Sequence, residues 1–145
     1  MKMQLVTQVD GTVSSVFERF DRKLLETLVP PGMSFKLKRY DEPVKPGSMV
    51  EVETKVFGLI PQFWRTEITE WVESGEESFF TDEGLKLPFP LKQWKHRHIV
   101  RKASEGVEIV DDVEFSAGWL SWLMYPAIWL QFAWRKPKYR KYFAN

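Results

Sequence analysis

The chain has 145 residues, with 21 basic and 20 acidic side chains, 43% hydrophobic residues and no cysteine. So even a charge balance excludes a protein drawn to nucleic acid by its overall field. The lack of cysteine excludes disulfides, thiol nucleophiles and thiolate metal sites, and it fits a reducing compartment, so a cytoplasmic protein is expected. The length is that of a single domain covering 1–145, large enough to bury a sizeable core. The first residues, MKMQLVTQVDG, lack the apolar run and small-residue cleavage site of a signal peptide.

In chain order, Met3 to Val9 alternates apolar and polar side chains, the period of a half-buried strand. Asp10-Gly11 turns the chain, and Thr12 is a helix N-cap. Val13, Val16, Phe17, Phe20, Leu24, Leu25 and Leu28 then fall at helical spacing, with Asp21 as a break into two short helices. Pro30-Pro31-Gly32 ends this region.

Strand patterns follow. Ser34 to Tyr40 sets Phe35 and Leu37 against Lys36 and Lys38. Met49 to Phe57 sets Val50, Val52, Thr54 and Val56 against Glu51, Glu53 and Lys55. Gly58 to Pro61 reads as a connector, and Gln62 to Val72 as the next strand, with Trp64, Thr66 and Ile68 on one face. A further strand begins at Ser78 to Thr81. Beyond Pro88-Phe89-Pro90, the stretch Trp94 to Lys102 holds both histidines of the chain. Trp94, His96, His98 and Val100 share one parity, and Lys95, Arg97, Ile99 and Arg101 the other, so the first set suits a covered but polar-containing sheet face. Val107 to Phe115 places Ile109, Asp111, Val113 and Phe115 on one face.

From about Ser116 the chain reads as helical, interrupted near Pro126. Phe115 to Trp134 carries no charge and is followed by RKPKYRK, so length, aromatics and a basic flank fit a membrane-spanning tail. Ser116, Ser121, Gln131, Pro126 and the shortage of isoleucine and valine favour a core helix covering the sheet instead. The basic run Arg135, Lys136, Lys138, Arg140 and Lys141 reads as a solvated helix end, with contact to an anionic membrane as the lesser reading.

The expected fold class is therefore α+β: one strand, two short helices, about six strands in an antiparallel meander, and a long C-terminal helix over the sheet. This order resembles the helix-grip fold of the START/Bet v 1-like (SRPBCC) superfamily, and most closely its small bacterial polyketide cyclase/dehydrase-like proteins. The residues that carry the resemblance are Val13–Phe20, Leu28-Val29-Pro30-Pro31, Trp64–Glu70, Phe80–Gly84, Pro88-Phe89-Pro90, Trp94–His98, Asp111–Phe115 and Phe132–Arg135. The resemblance implies a cavity for a hydrophobic small molecule between a curved sheet and the C-terminal helix. It implies no particular chemistry.

Candidate wall residues for such a cavity are Trp64, Phe89 and Trp94 on the sheet side, and Trp122, Tyr125 and Trp129 on the helix. His96, His98 and Asp111 are the polar candidates, because a carboxylate on an apolar face needs a partner and a histidine on the neighbouring strand can provide it. Such a pair is either structural or an oriented acid/base group. A metal on His96 and His98 would need a third ligand, Asp111 or Glu70, and no bound metal or cofactor is expected. No nucleophile elbow or phosphate loop is present. Three readings remain: a binding protein for a hydrophobic or aromatic small molecule, a cyclase/dehydratase using a cavity histidine, and a peripheral membrane protein that carries or senses lipid.

Overall fold

A computed structural model of the chain describes residues 1–56 and 58–144. Phe57, the expected last residue of the third strand, and Asn145 lie outside the described residues. The elements are β1 (Lys2–Val9), α1 (Val13–Phe17), α2 (Arg22–Thr27), β2 (Met33–Tyr40), β3 (Met49–Val56), β4 (Ile60–Val72), β5 (Glu77–Lys86), β6 (Gln93–Lys102), β7 (Val107–Ser116) and α3 (Ser121–Tyr142).

The local signals act as their chemistry requires. Thr12 closes a capping box with Ser15: its hydroxyl accepts from the Ser15 amide at 3.1 Å, and its own amide donates to the Ser15 hydroxyl at 3.0 Å. The Asp21 carboxylate accepts from the Leu24 amide at 2.9 Å and starts α2, so one acidic residue splits the helical stripe in two. Leu24 and Leu28 then bury against Val16, Phe17 and Tyr139 in one of two core clusters.

The seven strands form one curved antiparallel sheet in the order β1-β7-β6-β5-β4-β3-β2. Register shifts put one extra residue each into β2 (Lys38, between Leu37 and Arg39), β5 (Leu85, opposite the Arg65–Thr66 step) and β4 (Thr69, between Ile68 and Glu70). Bulges of this kind bend a strand and increase its twist. They curl the β2–β4 half of the sheet, and α3 packs against the other half, over β1 and β7. The space between is the cavity described below.

Two expectations need correction, and one strand gains its end. Ile60 and Pro61 belong to β4, paired with Val56 and Lys55, and not to a connector. Pro61 stands beyond the last β5 pair, Arg65 with Lys86, where β4 has an open side that tolerates a residue without an amide hydrogen. β5, expected to begin at Ser78 to Thr81, runs from Glu77 to Lys86, because the hairpin to β6 keeps pairing through Glu83 and Lys95. Finally, α3 runs unbroken through Pro126 and Pro137. Among the described residues, no helix is long and apolar enough to cross a membrane.

Candidate functional site

The cavity between the curled sheet and α3 has a volume of about 880 Å³. Its sheet side is formed by Val50, Val52 and Thr54 of β3, Trp64, Thr66 and Ile68 of β4, Phe80 and Asp82 of β5, and Trp94, His96 and His98 of β6. α3 closes it with Met124, Ile128, Gln131, Phe132 and Arg135, residues spaced three or four apart and so on one helix face. Phe89 lines the rim from the β5–β6 connection.

The sequence reading placed Trp64, Phe89, Trp94, His96 and His98 in such a cavity, and all five line it. Trp64 and Trp94 meet edge to face with centroids 5.2 Å apart. Asp111 does not line the cavity. It lies behind His96, 2% exposed. Trp122, Tyr125 and Trp129 must be withdrawn as wall residues. Trp122 and Trp129 stand on the outer side of α3, 63% and 43% exposed, and Tyr125 packs towards Phe115. The two tryptophans are seven residues apart, nearly two helical turns, so one rotation of the helix turns both away together.

At the cavity floor β5, β6 and β7 bring four ionisable side chains into one network. Across the β6–β7 pairing, His96 Nε2 lies 2.8 Å from Asp111 Oδ1. Across the β5–β6 pairing, His98 Nε2 lies 2.6 Å from Asp82 Oδ2. An ionised carboxylate only accepts, so each imidazole Nε2 carries the proton and donates it. The Tyr139 hydroxyl donates to the same Asp111 oxygen at 3.3 Å, and Arg135 Nη1 stands 3.7 Å from it. The two imidazoles sit one above the other, centroids 3.6 Å apart, and His98 also stacks on Phe80 at 4.2 Å.

Electrostatics follow from this packing. Burial and the neighbouring His96 work against a charged His98, and its pKa falls from 6.5 to about 4 despite the Asp82 carboxylate. Burial alone would raise the Asp111 carboxyl; the His96 hydrogen bond and the His96 and Arg135 charges outweigh it, so its pKa is lowered. The same balance, with His98 as the bonded partner, lowers Asp82. Burial, aided by the Asp111 charge, raises the Tyr139 phenol, which stays protonated as a donor.

The sequence reading missed two members of this network. Asp82 has the parity of Phe80 and lies opposite His96 in the hairpin, a position visible once the strand is carried past Thr81. The basic run makes Arg135 read as part of a solvated helix end, yet its side chain is 13% exposed and its guanidinium lies 4.3 Å over the Phe132 ring. Two cavity residues, Thr54 and Arg135, each have a buried polar atom without a hydrogen-bond partner, Oγ1 and Nε respectively.

For a metal, the carboxylate beside the histidines is Asp82, with donor atoms of Asp82, His96 and His98 within 4.8 Å of one another. Glu70, one expected third ligand, binds Arg97 and Thr81 at 3.0 Å each, and Asp111 is held behind His96.

No protein-family model matches the chain, and no curated protein matches it in sequence. Solved structures match its shape. Protein CV1439 from Chromobacterium violaceum superposes with a TM-score of 0.77 over 99% of this chain and 97% of its own, at 16% identity. The di-domain ARO/CYC StfQ of the steffimycin biosynthetic pathway covers 94% of this chain at TM-score 0.65 and 11% identity, with 49% of its own length matched. Ara h 8.0201 covers 79% of this chain and 76% of its own at TM-score 0.56 and 14% identity. The chain therefore has the helix-grip fold of the Bet v 1-like and polyketide-cyclase proteins, as the sequence resemblance implied.

Proposed function

We propose that this chain is a single-domain cytoplasmic protein that binds a hydrophobic or aromatic small molecule in the cavity between the curved sheet and α3. One observation carries the reading: a mostly apolar hollow of about 880 Å³ is lined by a few polar side chains, among them Gln131, His98 and Asp82. Small-molecule sites have volumes of about 300–1,000 Å³ and combine apolar walls with a few polar groups that fix orientation. Trp64 and Trp94 supply an aromatic wall, and His96 and His98 face the same space.

The test is to fill the hollow from within. Val52 lines the cavity wall, and Val52→Trp puts an indole where the ligand would lie. Titration with anilinonaphthalene sulfonate, followed by its fluorescence, is expected to show saturable binding that this variant weakens at least tenfold. Overpacking of this kind costs roughly 1–3 kcal/mol of stability, so circular dichroism must show the variant still folded. Unchanged probe affinity in a folded variant contradicts the reading.

A second reading rests on His98. A neutral imidazole that lines the cavity and is oriented by a carboxylate has the parts of a general base. Cyclisation or dehydration of a polyketide-type substrate is the matching chemistry, and loss of turnover in His98→Gln with probe affinity intact supports it.

No metal takes part in either reading. Arg135 already sets a positive charge beside Asp111, which disfavours a further cation at the histidine pair. Elemental analysis of the purified protein is expected to find zinc and iron far below one per chain. A stoichiometric metal that disappears in His96→Ala reverses this assignment.

A further inference from the structure

We infer that the outer face of α3 docks on an anionic lipid bilayer. A helix lying on a sheet normally turns polar side chains to solvent. α3 does not. Its inner side is buried through Ile128, Phe132 and Tyr139, while Trp122, Leu123 and Leu130 are 63%, 57% and 63% exposed on the other side. Trp119 and Phe89, at 78% and 89% exposed, extend this surface beyond the helix start. Contiguous exposed apolar surface of this kind marks an interaction site.

Charge identifies the occupant. From Phe115 to the end the sequence has five basic residues and no acidic one, so the first 114 residues hold sixteen basic and twenty acidic. The net charge of +1 hides a basic helix on an acidic body. Arg140 follows Trp122 by eighteen residues, five full turns at 3.6 per turn, and so continues the same stripe. Lys138 Nζ sits 5.3 Å over the Trp134 ring. Tryptophan beside lysine and arginine is the composition that seats a helix in the headgroup layer of an anionic membrane. Two copies packed face to face through this surface would bring like charges together. Because the inner side is held to the sheet, α3 lies along the bilayer and not across it.

The docked geometry bears on the cavity. Leu130, Trp134 and Phe89 belong both to the exposed surface and to the cavity lining, so a docked molecule opens its hollow towards lipid. If the ligand reading above holds, the occupant enters from the bilayer without crossing water. Docking itself does not depend on that reading.

The experiment uses the full chain and flotation with vesicles, of phosphatidylcholine alone or of equal parts phosphatidylcholine and phosphatidylglycerol. The protein is expected to float with the mixed vesicles only, and to be released as salt rises. Lys138→Ala and Lys141→Ala are each expected to lower the partition coefficient about fivefold. Trp122→Ser combined with Trp129→Ser is expected to abolish flotation. These side chains lie outside both core clusters, so thermal unfolding of the variants should match the parent. Absence of the parent protein from the mixed vesicles overturns the inference. So does flotation unchanged in the tryptophan variant, or a stable dimer in sedimentation equilibrium that the tryptophan variant dissociates.

Discussion

Asp111→Ala is expected to lower the stability of the fold by about 3–5 kcal/mol, the cost of removing one partner from a buried charged network. The carboxylate accepts from His96 at 2.8 Å and from Tyr139 at 3.3 Å, and it stands 3.7 Å from Arg135. Alanine leaves the imidazole, the phenol and the guanidinium without that acceptor, in a place water does not reach. Asp111→Asn keeps the shape and one acceptor oxygen while losing the charge, and a smaller loss of about 1–3 kcal/mol is expected. Lys95→Ala, on the exposed face of the same sheet, is expected to change stability by less than about 0.5 kcal/mol. Urea unfolding of the three variants gives the order directly. A cost for Asp111→Ala no larger than that for Lys95→Ala contradicts the network.

Stability is expected to fall as pH is lowered from about 6.5 towards 4, by up to about 3 kcal/mol from His98 alone. Above pH 6.5 the ring is neutral in both folded and unfolded chains, so it contributes no pH dependence. Between 6.5 and about 4 the unfolded chain takes up a proton that the buried ring refuses, and the unfolded state gains. Below about 4 both forms are protonated and this contribution is constant. Asp82 and Asp111, both lowered, act in the same direction at still lower pH: their stabilisation is present above the unfolded value of 3.8 and is lost as pH falls through their folded values. His98→Phe keeps a ring against Phe80 and removes the titrating group, so the slope of stability with pH between 6.5 and 4 should flatten in that variant. An unchanged slope assigns the acid sensitivity elsewhere.

Much of this architecture is legible in the residues because it rests on short-range chemistry. Thr12 and Asp21 cap because their oxygens reach amides three residues on. The parity of Met3 to Val9 and of Val107 to Phe115 survives in the burial of those strands, since both pack under α3. The sequence also placed His96 and Asp111 on facing strands, and they do form a pair. What it concealed depends on how far elements extend and how they are rotated. A strand begun at Ser78 to Thr81 with no end assigned left Asp82 without a face, although Asp82 shares the parity of Phe80. A charged residue after a long apolar run looked solvated, yet Arg135 lies four positions from both Gln131 and Tyr139 and shares their side of the helix. Tryptophan at 122 and 129 has the same composition signal as tryptophan at 64 and 94; the rotation of α3, set by contacts distant in sequence, decides which pair meets the cavity. Local pattern likewise does not distinguish a helix apolar all round because it is buried from one that is half bare.

The central claim, that a hydrophobic molecule occupies the space between the sheet and α3, is tested most directly by NMR of the indole and imidazole protons during titration with anilinonaphthalene sulfonate. The account predicts that the indole signals of Trp64 and Trp94 and the ring signals of His98 move together and saturate at one probe per chain, while those of Trp122 and Trp129 stay in place. Movement of Trp122 and Trp129 with Trp64, Trp94 and His98 unchanged would put the probe on the outer face of α3 and contradict the cavity as the binding site.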